Sequence, residues 1–270
     1  MVKALQAAKV PFRAVSRDPA KAKQALGANV EVVAGDLDRP ETLRGALGGA
    51  SGVFFVSGVD ERYTDRVKGF LGAAKSAGVK HVVKLGAMGA DPASPTALLR
   101  QHAETDALVR ASGMTWTLLR PNGFFQNLLW AAGSIKSQGK IFMAMKDARQ
   151  ALVDVRDVAQ AGVKALTTRG HEGQTYELTG PAAPTYADIA ATFARVLGKP
   201  VAYVDVPVAA ACEGLKKAGF PAWSVAEIGK LYALFATGAA ARTTDTVARV
   251  LGRPPTPLET WIREHLPAFR

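Results

Sequence analysis

The sequence predicts an α/β protein built on a doubly wound parallel sheet, and three observations predict it. Short β-rich runs alternate with helical stretches from residue 12 to about residue 119. The helical stretches open and close on capping residues. The run at 52–56, Gly-Val-Phe-Phe-Val, is apolar without alternation, as a strand covered on both faces should be. Repeated strand–helix alternation demands crossover connections, and these wind a parallel sheet in one hand.

The elements come in order along the chain. Residues 1–9 carry Val2, Leu5 and Ala8 at helical spacing and close on Lys9-Val10-Pro11, so they read as a helix. Residues 12–15 read as a strand; Asp18 then caps a helix with Pro19 at its first position, and Gly27 ends it. Residues 30–33 are the next strand, and Asp38-Arg39-Pro40 opens a helix that stops at Gly48-Gly49. After the 52–56 strand come a helix at 63–77 ended by Gly78, a strand at 80–85, a helix at 97–112 ended by Gly113, and a strand at 116–119. Beyond Arg120-Pro121 the pattern changes: short strands at 140–145 and 151–155, a helix from Asp157 to about residue 167, and a strand at 175–178. Thr185 with Asp188, and Thr256 with Glu259, have the spacing of capping boxes. Residues 1–121 therefore read as a nucleotide-binding domain, and residues 122–270 as a smaller mixed α/β substrate part packed on it and sharing some strands.

A doubly wound sheet normally begins with a strand and a glycine-rich turn, whose N–H groups and following helix hold a pyrophosphate. Here the first helical stretch comes first, so the predicted sheet lacks its first strand. Two explanations are open: the chain starts downstream of that segment, or the protein has lost strong cofactor binding.

Composition narrows the function. The chain has 270 residues, 48% of them hydrophobic, which is enough for a substantial core. No apolar run approaches the roughly 20 residues that cross a bilayer, which points to a cytoplasmic protein. Cys212 is the only cysteine, excluding an internal disulfide and multi-cysteine metal sites, and it reads as a buried or idle thiol. The 34 Lys and Arg residues outnumber 23 Asp and Glu, for a net charge of +11, but they are scattered, and nucleic-acid binding needs them clustered. No His-Glu-x-x-His, carboxylate pair or Cys-His arrangement suggests a metal site or a hydrolase.

The candidate site residues stand at the ends of the strands. Arg17, just after the 12–15 strand, stands where an acidic residue would accept from a ribose 2′-hydroxyl; a guanidinium instead suits a 2′-phosphate, so NADP(H) is favoured, with NAD(H) the alternative. Lys21 or Lys23 adds charge to the same place. In Gly35-Asp36-Leu37, Asp36 can accept from the adenine amino group while Leu37 packs on the ring; Gly-Asp is equally turn chemistry. Ser57-Gly58 ends the apolar strand at the ligand edge of the sheet, and Gly58 admits close approach of a cofactor.

With these elements in order, Arg17-Asp18-Pro19, Gly35-Asp36-Leu37, Lys84-Leu85-Gly86-Ala87, His102-Ala103-Glu104, Leu119-Arg120-Pro121-Asn122-Gly123-Phe124 and Val153-Asp154-Val155-Arg156-Asp157-Val158 resemble the NmrA-like family over nearly the whole chain. That family comprises atypical short-chain dehydrogenase/reductase relatives with a Rossmann-like fold. The resemblance implies cofactor contacts at Arg17, Asp36, Ser57, Gly58, Leu85, Gly86 and Ala87, and nicotinamide-side contacts near Pro121 and Asn122. It implies either an NADPH-dependent reductase of quinones, azo compounds or similar aromatic acceptors, or a non-catalytic NADP(H) sensor that binds a protein partner. The family's N-terminal Gly-x-x-Gly-x-x-Gly segment is absent.

Catalysis departs from the wider superfamily too. Where Tyr-x-x-x-Lys is usual, this chain has Leu98 and His102. His102 can hydrogen-bond the nicotinamide ribose or substrate and exchange a proton near neutral pH; its alternative is a surface histidine paired with Asp106 one turn on. Conjugated acceptors need little acid help, because delocalisation takes up the incoming charge. Phe124, Phe125, Trp130, Met143, Met145, Trp223, Tyr232 and Phe235 are candidates for a flat apolar pocket, most of them expected in the core.

Overall fold

The computed structural model describes residues 1–270. Helix α1 (Val2–Ala7) leads into β1 (Arg13–Ser16), α2 (Pro19–Leu26) and β2 (Glu31–Ala34). A 3-10 turn at Pro40–Thr42 and α3 (Leu43–Leu47) precede β3 (Gly52–Phe55), α4 (Tyr63–Ser76), β4 (His81–Leu85), α5 (Ala97–Arg110) and β5 (Thr115–Pro121). Then come α6 (Ala132–Gln138), β6 (Lys140–Met143), α7 (Val155–Thr167), β7 (Gln174–Leu178), α8 (Tyr186–Leu197) and β8 (Ala202–Asp205). The chain ends in α9 (Val208–Lys217), α10 (Ala222–Phe235), α11 (Thr246–Leu251), α12 (Leu258–Glu264) and α13 (Leu266–Phe269).

Local chemistry explains the element ends. Asp18 accepts the Lys21 backbone N–H at 3.0 Å, with Pro19 filling the first position of α2, where a missing N–H costs nothing. Thr185 and Asp188 close both arms of a capping box on α8. Gly198 ends that helix at φ +67°, a conformation in which a side chain would be strained.

The expected parallel winding is present, but not as one continuous sheet. β1 pairs with β2 in parallel; β3, β4, β5 and β7 form a second sheet in that order, with β3–β4 and β4–β5 parallel; β6 and β8 form a third, also parallel. The chain's first strand is β1, the strand read at 12–15.

Two compact units emerge. The first takes Met1–Gly86, Gln101–Leu119 and Ala159–Tyr176; the second takes Ala87–Arg100, Arg120–Val158 and Glu177–Arg270. In the first, Phe55, Val67, Phe70, Val82 and Leu118 form a buried cluster, with the Phe55 and Phe70 rings 4.4 Å apart. In the second, Phe193, Trp261 and Phe269 centre the core, and Phe193 meets Phe269 edge-on at 4.7 Å.

Four expectations need correction. The apolar run at 151–155 is not a strand: its buried N–H groups bond irregularly, Ala151 to the Ala240 carbonyl and Val153 to the Gly123 carbonyl, leaving one isolated bridge from Val153 to Phe124. α7 starts at Val155 rather than at Asp157, because Asp154 accepts the Arg156 N–H at 2.8 Å. Thr256 and Glu259 form no capping box, since Asp157 takes the Thr256 N–H at 2.7 Å and its hydroxyl at 3.0 Å. β3 is buried only at Phe55, not covered on both faces. Cys212 is half-buried.

Candidate functional site

A cleft of about 1140 Å³ opens within the first unit, lined by residues of α1, by β1 and β3, and by the segments after β1, β2 and β3. Parallel strands deliver their C-terminal loops to one edge, which is where such folds place their ligands. Arg17, Asp36, Leu37, Ser57 and Gly58 all line this cleft. Five cofactor residues read from three separate stretches of sequence thus come together.

Their individual states differ. Arg17 is exposed and forms no hydrogen bond or ion pair, so its guanidinium is available to an anion. Asp36 is engaged: Oδ1 accepts the Asp38 N–H at 2.9 Å and Oδ2 accepts from Arg39 Nε at 3.3 Å. The turn chemistry expected of Gly-Asp is therefore realised, and an adenine contact would use the carboxylate's remaining lone pairs. Gly35 has a packing reason, since a Cβ there would fall 2.5 Å from Val15 Cγ1. Ser57 Oγ donates to the Gly58 carbonyl at 3.1 Å, and a Cβ on Gly58 would meet only open space. Lys21 is exposed and does not line the cleft.

Sequence reading missed the ion network on the cleft wall. Arg66 of α4 donates to Asp38 at 2.6 Å and to Asp60 at 2.8 Å. The Arg66 hydrogen bond holds the Asp38 carboxyl below its usual range, with Arg62 and Arg17 adding to the effect. These residues lie on different elements, and no spacing links them. The lining holds three guanidiniums, Arg13, Arg17 and Arg66, against four carboxylates, Glu31, Asp36, Asp38 and Asp60, so the chain's overall positive charge is not concentrated here.

The histidine is buried, not on the helix surface. His102 is 7% exposed, and its Nδ1 lies 3.4 Å from the Tyr63 hydroxyl, the two rings meeting edge-on at 5.3 Å. Asp106 bonds Lys84 Nζ at 2.7 Å, both side chains at 0% exposure, and Lys84 Nζ lies 5.7 Å from the centre of the Tyr63 ring. Burial pushes the Tyr63 phenol well above its ordinary pKa. Lys84 is the residue before Leu85-Gly86, and the Gly86 N–H donates to the Leu119 carbonyl at 2.7 Å.

Three predicted contacts belong to the second unit. Ala87 precedes Met88, whose N–H donates to the Pro121 carbonyl at 2.9 Å. Asn122 is 7% exposed; its Nδ2 donates to the Ala240 carbonyl at 2.9 Å and its Oδ1 accepts the Gly123 N–H at 2.7 Å. In the same unit the carboxylate of Glu227, from α10, caps the start of α5 through the N–H groups of Ala97 and Leu98. Of the aromatic and methionine candidates, Phe125 and Met145 are core, and only Phe235 lines this unit's pocket.

Comparison with known proteins shows the family. A family model described as NAD(P)H-binding matches residues 1–169. The chain is 38% identical over 269 residues to the NAD(P)H azoreductase of Xenophilus azovorans, covering 100% of this chain and 94% of that protein. Among solved structures it resembles the NADPH-dependent quinone oxidoreductase of Escherichia coli complexed with NADPH, at TM-score 0.86 and 30% identity over 98% of this chain and 94% of that one. It also resembles the Citrobacter triphenylmethane reductase complexed with NADP(H), at TM-score 0.85 and 28% identity over 97% and 94% of the two chains.

The buried pair generates a stability prediction. Removing one partner leaves an uncompensated buried charge, so Lys84→Met should cost about 3–5 kcal/mol in urea denaturation, whereas Lys84→Met with Asp106→Leu should recover most of it. A double variant no more stable than the single one would mean that the pair is not what the surrounding core depends on.

Proposed function

Because the chain belongs to the NAD(P)H-binding, NmrA-like family and is an NAD(P)H-dependent oxidoreductase, we propose that it reduces conjugated aromatic acceptors, quinones or azo compounds, using NADPH in preference to NADH. The observation that carries this reading is the gathering of Arg17, Asp36, Leu37, Ser57 and Gly58 on one cleft with the Arg17 guanidinium unengaged. Those residues fit an adenosine phosphate: a free fork for phosphate oxygens, an apolar side chain for a ring, and a glycine that leaves the backbone open. When bound, the reduced nicotinamide supplies a hydride that the acceptor takes up together with one proton. Arg17 clasps the 2′-phosphate, with Lys21 adding charge from the next helix. Asp36 and Leu37 receive the adenine, and Ser57 and Gly58 border the cofactor's middle. Cofactor contacts are further assigned to Leu85, Gly86 and Ala87, nicotinamide-side contacts to Pro121 and Asn122, and assistance at the nicotinamide to His102.

The cleft also bears on the pyrophosphate. β1 pairs only with β2 and β3 only with β4, and both strands line the same opening. Their unpaired backbone groups suit one further parallel strand, about 4.8 Å from each neighbour. A segment preceding Met1 that supplies this strand and a glycine-rich turn is part of the reading. The genomic frame upstream of Met1 provides the test: a chain extended by it should bind NADPH at least 10-fold more tightly than the 270-residue chain, and equal affinity would remove the extra strand.

Turnover tests the whole. NADPH oxidation should proceed with a panel of quinones and azo dyes, while tight NADP(H) binding without oxidation would establish the sensor instead. Arg17→Asp should weaken NADPH by about 10- to 100-fold, the worth of one or two charge-assisted hydrogen bonds, with NADH changed less than 3-fold; equal losses would take Arg17 off the 2′-phosphate. His102→Ala should lower kcat by about 10-fold or more at nearly unchanged NADPH affinity, and an unaltered rate would leave His102 a structural partner of Tyr63.

A further inference from the structure

Three charged side chains without a cofactor assignment meet on the wall of the first unit's cleft: Asp38 after β2, Asp60 after β3, and Arg66 one turn into α4. Arg66 grips Asp38 with two nitrogens, Nε on Oδ1 at 2.6 Å and Nη2 on Oδ2 at 3.2 Å. Its third nitrogen, Nη1, donates to Asp60 Oδ2 at 2.8 Å, so the whole guanidinium is committed. Arg62 adds only a looser contact, Nη2 to Asp38 Oδ1 at 3.4 Å, from a side chain that is 62% exposed. The Arg66 and Asp38 side chains are 16% and 20% exposed, so the forked pair is much the better shielded from water.

Arg17 leaves the neighbouring strand at the same level. The last β1–β2 pair is Ser16 with Ala34, and the Gly35 N–H donates to the Ser16 carbonyl at 3.1 Å, so Arg17 emerges beside the segment that carries Asp36 and Asp38. That segment is a tight turn, with the Asp38 N–H on Asp36 Oδ1 at 2.9 Å and the Arg39 N–H on the Asp36 carbonyl at 3.0 Å. The Asp38 carboxyl is held below its usual range first by the Arg66 hydrogen bond, and the charges of Arg62 and Arg17 add to this, which puts Arg17 within electrostatic reach of Asp38. Yet Arg17 forms no ion pair with it, because Asp38 is already satisfied. An uncompensated carboxylate here would count twice against an adenosine 2′-phosphate: it would compete for the Arg17 guanidinium and repel the phosphate. A ribose with a free 2′-hydroxyl would meet neither penalty.

We infer that Arg66 is the residue that keeps Arg17 available: by gripping Asp38 it holds that carboxylate off both Arg17 and an incoming 2′-phosphate, and so sets the preference for a phosphorylated adenosine. It is a positioning residue that acts through Asp38, and this role rests on the assignment of Arg17 to the 2′-phosphate above. Because the same guanidinium also binds Asp60, the segments after β2 and β3 are fixed to α4 together before any ligand arrives.

Two probes that differ only by the 2′-phosphate test this, adenosine 2′,5′-bisphosphate and 5′-AMP, titrated calorimetrically into the full 270-residue chain. The unaltered chain should bind the bisphosphate about 10-fold more tightly or better, the worth of one charge-assisted hydrogen bond. Arg66→Met should cut that preference to about 2-fold while changing 5′-AMP affinity by less than about 3-fold, since only the 2′-phosphate meets the freed carboxylate. Adding Asp38→Asn to Arg66→Met should restore the preference to within about 2-fold of the unaltered chain, and Asp38→Asn alone should keep it or raise it. Arg66→Lys, which retains a charge without the fork, should fall between the unaltered chain and Arg66→Met, and it carries the test if the Met variant unfolds. A preference that persists in the Arg66 variants overturns the inference and leaves Arg17 in place. A preference lost in Arg66→Met and not restored by Asp38→Asn, or lost in Asp38→Asn alone, also overturns it, because Arg66 would then act on the phosphate or the loops directly. An unaltered chain with no preference takes Arg17 off the 2′-phosphate, and the role of Arg66 falls with it.

Discussion

Parallel pairing is the constraint on which the rest depends. Strands that run the same way leave by the same edge, so residues distant in sequence arrive together without any need to be neighbours in the chain. β1 is followed by Arg17, β2 by Gly35-Asp36-Leu37 and β3, after Val56, by Ser57-Gly58, and one cleft collects them all. The geometry that makes a binding edge also makes a liability. β1 and β3 each pair on one side only, and backbone N–H and C=O groups on an unpaired edge require partners or water. The first unit is thus organised around an opening that both gathers the ends of its strands and exposes strand edges.

Within that unit the most demanding interaction is the Lys84–Asp106 pair. Two charges at 0% exposure are tolerable only when they meet closely, and 2.7 Å achieves this. The pair joins β4 to α5, the two elements that carry Leu85-Gly86 and His102. Tyr63 of α4 lies over the ammonium and against the imidazole, so three elements are held by one polar knot inside an otherwise apolar core. His102 is consequently a buried, oriented group rather than a surface side chain, and its position is set by the same contacts that fix the strand before Gly86.

Much of this was legible in the sequence where chemistry is local. Asp18-Pro19 starts α2 and Thr185 with Asp188 caps α8 as their spacing demands, because both devices are complete within four residues. The misreadings share a cause: a distant partner displaced a local one. Thr256 had Glu259 in reach, yet Asp157, far off in sequence, takes its N–H and hydroxyl, while Glu259 pairs with Arg195 and Arg263. His102, with a surface position open to it, is instead 7% exposed and meets Tyr63 of α4. The run at 151–155 is as buried as its composition implies, with Ala151, Leu152 and Val153 at 0–2% exposure, but its hydrogen bonds go to Gly123 and Ala240 instead of to a ladder. Burial can be read from residue type; the bonding partner cannot. Arg66, which ties Asp38 to Asp60 on the cleft wall, had no signature because its partners come from two loops.

The missing tyrosine acid limits which acceptors are feasible. Tyr63 is the one tyrosine near His102, and at 1% exposure its phenol is pushed upward by burial, which makes it a poorer proton donor rather than a better one. It serves the imidazole instead. A simple ketone gaining a hydride becomes an alkoxide and needs a positioned acid in the transition state. A quinone spreads the same charge over its ring and second oxygen, so positioning alone covers most of the catalytic requirement. The chain's polar residues are accordingly spent on holding elements in place: Asp36 on its own turn, Asn122 on Ala240, Asp106 on Lys84. On the first unit's cleft, Arg17 stays out of such bonds, exposed and available to an anion.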